Sequence, residues 1–414
     1  MRSPATGNGR LREVEDELAS LPERYLGGEE GRRATVELRL SDLGRSWQVE
    51  LRGRRCKVRT SPRGEPDAIV GTDSATWLEL REGRLSGLDA FRRRRLWARG
   101  DLDVAVGFEG LFRLPDDRPP LLRLHDVRVR GARISCLTAG HGPRRAILIH
   151  GLGGAKSSFF ETVAALSPDH TVHAIDLPGF GASSKPLAAY DPAFFARHVL
   201  RLMDALAIDR ADLVGNSLGG RVALELGLRA PSRVRSLSLL APSLAFRRGR
   251  GLAPLVRVLR PELAVLPPVF GPRQVRDGFW QMVAHPDRVD PSIADLAADE
   301  FFRAHRTRAG RVAFYAAARQ IYLEAPHGPS GFWGRLELLR PPALFVWGEE
   351  DRLVPAGFSR HVESALPGAA QVVLPGCGHV PQIELPERTH ELVRSFMAGV
   401  AAPAGESARL ARPA

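Results

Sequence analysis

The sequence predicts an α/β chain: a doubly wound, mostly parallel sheet with a helical cap, preceded by a smaller α+β domain. Three observations carry this. After about residue 120, short apolar runs alternate with helical patterns, as buried parallel strands and their crossovers do. Before residue 114, strands with a period of two stand beside helices. Between them lies Leu114-Pro115-Asp116-Asp117-Arg118-Pro119-Pro120, stiffened by proline and holding no core pattern, which reads as a linker.

Taken in order, residues 1–12 are polar and are expected to form a flexible N-terminus. Leu11 to Tyr25 places Val14, Leu18 and Leu21 at helical spacing. Val36–Leu40 and Trp47–Leu51 alternate apolar and polar residues, with a turn near Gly44, so each predicts a half-buried strand. Asp67–Gly71 predicts another. Ser74 is placed to cap a helix through Glu82, with Gly83 ending it. Leu88–Trp97 reads as helix into strand, and Asp101–Phe112 as a last helix. These elements make a first domain over residues 13–113, followed by a linker at 114–121.

The second domain is expected over residues 122–400. Its apolar runs are Ala146–His150, Val172–Asp176, Asp212–Gly215, Leu237–Leu240, Ala343–Trp347 and Gln371–Leu374. Helical patterns separate most of them: Phe194–Leu206, Gly220–Arg229 and Ser359–Leu366. The interval 243–340 is rich in Arg, Pro and aromatic residues, with helical stretches and no clear strand. An insertion between two strands of such a sheet predicts a cap over the site. Residues 401–414 are Ala/Pro-rich and are expected to form a flexible tail.

Composition bounds the function classes. With 44% hydrophobic and 26% charged residues, the chain is that of a soluble globular protein. Its formal charge is +12, nearly all from Arg, since Lys occurs only at 57, 156 and 185. Arg is spread along the whole chain, apart from the run Arg92–Arg95, and no nucleic-acid motif accompanies it, so peripheral contact with an anionic membrane is expected in preference to nucleic acid. Cys56, Cys136 and Cys377 give neither a disulfide framework nor zinc spacing. The first residues lack the apolar segment of a secretory signal, and no long apolar run occurs, so a cytoplasmic location is expected. His170 and His173 form an H-x-x-H with no third ligand nearby, and no metal or cofactor is implied.

Four segments carry chemistry: His150–Gly154, Gly215–Gly220, Trp347–Asp351 and Gly376–His379. Ser217 lies between a strand ending at Gly215 and a helix starting near Gly219. A serine hydroxyl needs a base at hydrogen-bonding distance. A tight strand-to-helix turn between small residues pushes that hydroxyl out at the carboxyl end of the sheet. The Leu218 N–H then lies at a helix N-terminus, where it can stabilise an oxyanion. Asp351 follows a strand, with Glu349 and Glu350 as neighbours of similar chemistry. His379 lies in a Gly-rich loop after the last strand. Cys377 beside it reads as a small buried filler.

These segments, with Asp176-Leu177-Pro178-Gly179-Phe180-Gly181-Ala182-Ser183, make residues from about 122 to 400 resemble the α/β-hydrolase family. The resemblance implies a catalytic triad of Ser217, Asp351 and His379, with the N–H groups of Leu152 and Leu218 as the oxyanion hole. Asp351 is preferred to its neighbours because Gly348-x-x-Asp351-x-x-Val354-Pro355 matches the family there. Serine at 217 disfavours the epoxide hydrolase and haloalkane dehalogenase branches, which place Asp at that point. Asn216 is similar to carbon–carbon bond hydrolases, whereas Gly376-Cys377-Gly378-His379-Val380-Pro381 and Glu384-x-Pro386-Glu387 look like esterases and lipases.

Residues from about 15 to 113 resemble the sterol carrier protein 2 (SCP2) family through Pro66–Val70, Leu78, Gly83, Leu85-Ser86-Gly87, Ala90-Phe91 and Leu96–Asp101. That family's fold encloses an apolar tunnel, which implies lipid binding. Together the resemblances imply a serine hydrolase cleaving carboxylic esters of hydrophobic or lipid-like substrates through an acyl-enzyme. The alternatives are a carbon–carbon bond hydrolase of ring-cleavage products, and a lipid-binding or transfer protein whose hydrolase half is idle. The sequence leaves the oligomeric state open.

Overall fold

The structure, a computed structural model, describes residues 7–28, 33–245, 262, 264, 271–328 and 331–399. The chain divides into two compact units. One runs to Leu124 and includes Thr138–Gly140; the other takes His125–Leu137 and the chain from His141. The expected tail at 401–414 and residues 246–261 of the expected cap lie outside the described residues.

The first unit opens with α1 (Gly7–Arg24), which begins earlier than Leu11, so residues 7–12 are helical rather than part of a loose terminus. Strands β1 (Arg33–Leu40), β2 (Arg45–Arg52), β3 (Arg55–Arg59) and β4 (Ala68–Thr72) follow, then helices α2 (Ser74–Arg81) and α3 (Gly87–Arg92), strand β5 (Leu96–Gly100) and helix α4 (Leu102–Glu109). The sheet order is β3-β2-β1-β4-β5. The β1–β4 pair is parallel and the other pairs are antiparallel. The cap of α2 is Asp73 rather than Ser74: its carboxylate accepts the Thr76 N–H at 2.8 Å. Val14, Leu18 and Leu21 of α1 are buried with Val36, Leu38, Trp77, Phe108 and Phe112. Burying each such side chain contributes roughly 1.5–3 kcal/mol.

The second unit is built on an eight-stranded sheet of order β13-β12-β11-β10-β8-β9-β7-β6. Its elements run β6 (Leu122–Val129), β7 (Ala132–Ala139), β8 (Arg144–Ile149), α5 (Phe160–Leu166), β9 (His170–Ile175), α6 (Pro192–Ala205), β10 (Ala211–Asn216), α7 (Leu218–Arg229) and β11 (Val234–Leu240). Then come α8 (Pro272–Trp280), α9 (Pro291–His305), α10 (Arg308–Leu323) and α11 (Phe332–Leu336), followed by β12 (Ala343–Gly348), α12 (Ser359–Ala365), β13 (Ala370–Leu374), α13 (Pro381–Glu384) and α14 (Pro386–Met397). Strands β8 to β13 pair in parallel. Strands β8 to β12 are buried almost throughout, which explains their apolar runs, while β13 at the sheet edge is half-buried.

Strand β8 lies between β10 and β9, so the chain winds outward in both directions from there. The crevice at the carboxyl ends of β8 and β10 is the topological switch point, where such sheets place their ligands. Between β11 and β12 the described residues form helices and no strand. Among the described residues no helix is long and apolar enough to cross a membrane.

Candidate active site

Ser217 stands at the junction of β10 and α7 with φ 53° and ψ −115°, a conformation L-residues rarely hold. Its N–H donates to Leu240 O at 3.0 Å, and its own carbonyl accepts from Arg221 N and Ser243 N at 3.1 and 2.9 Å. The flanking glycines are sterically required. A β-carbon on Gly215 would run into the backbone of Gly219, and one on Gly219 would run into the carbonyl of Ile149. The turn is therefore pressed against the end of β8. Leu218, as the first helical residue, has an N–H with no intrahelical acceptor.

The loop after β8 comes to the same place. A β-carbon at Gly151 would lie 3.3 Å from Ser217 Cβ and 3.4 Å from Asn216 Oδ1, so this loop's backbone runs beside the serine. Leu152 follows directly. His150 shapes the loop: Nδ1 lies 2.7 Å from Gly151 O, while Nε2 accepts the Leu177 N–H at 3.0 Å. That fixes the neutral tautomer with hydrogen on Nδ1. Burial lowers the His150 pKa and keeps it neutral, against the opposing pull of Asp176. Asp176 in turn clamps the loop from beyond, accepting from Lys156 N at 2.7 Å and Lys156 Nζ at 2.9 Å.

Asp351 and His379 are brought into direct contact: Nδ1 lies 2.7 Å from Oδ2, with both residues 4% exposed. The other carboxylate oxygen accepts from Leu353 N and Val354 N at 2.8 and 2.9 Å, which fixes its orientation. Glu349 and Glu350 are exposed, and neither holds the imidazole. Asn216 ties this pair to the serine turn. Its Nδ2 donates to Leu240 O at 3.0 Å and to His379 O at 3.1 Å. Ser217 and His379 therefore share one end of the sheet through Asn216, rather than through a bond between their own side chains.

Two further buried charged residues shape the surrounding structure without having been singled out for it. Glu384, 2% exposed, accepts from Gly378 N at 2.7 Å and from His285 N at 2.6 Å, while His379 N donates to Met282 O at 2.7 Å. The histidine loop is thus pinned to the segment after α8. The sequence shows Glu384 beside Pro386, but nothing local shows what it binds. Arg221, one turn into α7, is buried between Glu225 at 3.0 Å and Glu324 at the end of α10. Cys377 is fully buried, and burial raises its thiol pKa, which makes it inert.

The alpha/beta hydrolase fold family matches residues 147–386, more than half of the chain. The chain belongs to the α/β-hydrolase family. The SCP-2 sterol transfer family matches residues 29–113, so this hydrolase carries an SCP2 domain at its N-terminal side. The 2-hydroxymuconate semialdehyde hydrolase of Pseudomonas putida is 30% identical over 290 residues, covering 69% of this chain and 96% of that one. The dihydrolipoyllysine-residue acetyltransferase component of the acetoin cleaving system of Pseudomonas putida is 31% identical over 265 residues, 62% of this chain. The match spans 64% of that relative's length. Among solved structures, a membrane phospholipase A described as a bacterial virulence factor superposes with a TM-score of 0.58 at 27% identity, covering 67% of this chain and 86% of that one. Esterase- or lipase-like hydrolases and carbon–carbon bond hydrolases thus both stand among the relatives.

Proposed function

We propose that the protein hydrolyses carboxylic esters whose acyl or alcohol part is hydrophobic and lipid-like. The observation that carries this is the buried Asp351–His379 bond of 2.7 Å, held beside Ser217 by Asn216. With Nδ1–H donated to Asp351, Nε2 keeps the lone pair that a general base needs. Ser217 Oγ attacks the ester carbonyl as His379 takes its proton. The N–H groups of Leu152 and Leu218 hold the oxyanion. His379 then protonates the departing alcohol, leaving an acyl-serine that water hydrolyses by the same base in reverse. The SCP2 domain supports a lipid-like substrate. The first unit has a small recess of about 40 Å³ lined mainly by apolar groups, among them Tyr25, Ala34, Leu51, Val104, Leu111 and Leu124.

One observation favours carbon–carbon bond hydrolysis instead: the 30% identity to 2-hydroxymuconate semialdehyde hydrolase over 69% of this chain. Turnover of nitrophenyl esters from acetyl to palmitoyl, set against turnover of a ring-cleavage dienoate, separates the two. The expected result is ester hydrolysis that favours the longer chains and falls about 10⁴-fold or more in Ser217→Ala. Dienoate cleavage without ester turnover would reverse the assignment. Fatty-acid binding with neither activity would leave a lipid carrier with an idle hydrolase half.

A further inference from the structure

The sheet of the first unit has one face in the core and one face outward. On β1, Ala34, Val36, Leu38 and Leu40 point inward, so Arg33, Thr35, Glu37 and Arg39 take the other face, where Arg33 and Arg39 are exposed while Glu37, and Gln48 beside it on β2, are buried. Register carries this face across the sheet. Arg33 pairs with Arg52 and Arg52 with Arg55; Thr35 pairs with Glu50 and Glu50 with Lys57. On the other side Glu37 pairs with Ile69 and Ile69 with Arg99, while Arg39 pairs with Gly71 and Gly71 with Trp97.

Two cations on this face are matched: Arg39 by Glu37 at 2.6 Å, and Arg59 by Glu50. The Arg59 hydrogen bond, with Arg52 and Lys57 nearby, lowers the Glu50 pKa and keeps it ionised. Arg33, Arg52, Arg55, Lys57 and Arg99 are exposed and form no ion pair among the described residues. Trp97 is 41% exposed, lies over Gly71 where a β-carbon would collide with its ring, and carries the Arg99 guanidinium 5.3 Å from its centroid. Protection of sheet edges explains charge on β3 and β5. It explains neither Arg33 and Arg52 on inner strands nor an exposed indole. By contrast, the Arg92–Arg95 run is partly neutralised: Arg92 meets Asp89 at 3.4 Å and Arg95 meets Glu79 at 2.8 Å.

We infer that this outward face is the docking surface for an anionic phospholipid membrane. Unpaired cations on one face supply the long-range attraction to negative headgroups. The indole of Trp97 is amphipathic and settles at headgroup depth, with Arg99 beside it reaching phosphate. A nucleic-acid groove would present several stacking rings. Among the described residues Trp97 is the one aromatic side chain among the large exposed hydrophobics. Docking here is separate from the chemistry at Ser217, so it holds or fails independently of the ester assignment.

The test is sedimentation of the full chain with vesicles of phosphatidylcholine alone and of phosphatidylcholine with phosphatidylglycerol. Binding is expected only to the anionic vesicles and should weaken as salt is raised. The triple change Arg52→Ala, Arg55→Ala and Lys57→Ala should weaken it about a hundredfold, from about fivefold per cation at an anionic surface. Trp97→Ala, which keeps every charge, should weaken it severalfold, and thermal melts of each variant check that it is folded. Equal binding to neutral vesicles, or full binding by the folded triple variant, would overturn the assignment. So would binding of a DNA oligonucleotide with no binding of vesicles.

Discussion

Ser217 holds a backbone conformation that costs about 1–3 kcal/mol, and it persists because its surroundings leave no alternative. Gly215 and Gly219 close the turn from both sides, and three backbone hydrogen bonds hold it. The proposed nucleophile is thereby positioned by packing rather than by its own preferences. The same holds for Asp351, whose carboxylate is bonded through both oxygens before any substrate arrives. Asp351→Asn keeps the shape but offers an amide where the imidazole needs an acceptor and a charge. It is expected to lower kcat by about 10⁴-fold with little change in KM. Steady-state kinetics on a short-chain ester measures this, and a kcat within tenfold of the parent would remove Asp351 from its proposed role.

At the scale of elements, the strands that build the site were legible, whereas β3, β6 and β7 were not. Strands β8 to β12 are buried almost throughout, so their apolar runs stand out in the sequence. Strand β3 carries Arg55, Lys57 and Arg59 on its outer face, and β6 interleaves Arg123, Arg128 and His125 with its apolar residues. Both lie at sheet edges, where one side of the strand meets solvent and the apolar signal is diluted. The four chemical segments were legible because each sits on its own tight turn. The contacts of Asn216 and Glu384 were not, because their partners are 163 and 99 residues away along the chain.

Helix α4 makes one such long-range contact with a pH signature. Glu109 is half-buried and accepts the Gly87 N–H at 2.6 Å, at the start of α3. Burial raises its pKa to about 7, only partly opposed by Gly87 and Arg81. A raised folded pKa means the stability linked to this group is complete below the unfolded value near 4.5 and is lost as pH rises through about 7. The loss is on the order of 2–3 kcal/mol. Glu109→Gln keeps an acceptor for Gly87 but cannot ionise. Urea unfolding from pH 5 to pH 8 should show a flatter stability profile in the variant, and parallel profiles would contradict the linkage.

At the scale of the molecule, the two compact units have separate cores and are proposed to carry two separable tasks. The hydrolase unit holds the proposed triad; the first unit holds a small, mainly apolar recess. Leu111→Asp places a charge in the lining of that recess. It should weaken binding of a fluorescent fatty acid by at least about tenfold, since an unpaired buried charge costs well over 1.4 kcal/mol. Hydrolysis of a short, soluble ester should be unchanged. Parallel loss of both would join the two tasks into one.

The nucleophile is the point on which the whole assignment turns, and labelling it is the most direct measurement. The chain is treated with a long-chain fluorophosphonate, and intact mass and peptide mapping locate the adduct. One adduct per chain is expected, on the peptide containing Ser217, absent from Ser217→Ala and slowed by prior incubation with a long-chain ester. No adduct, or one on another residue that persists in Ser217→Ala, would contradict the serine hydrolase assignment.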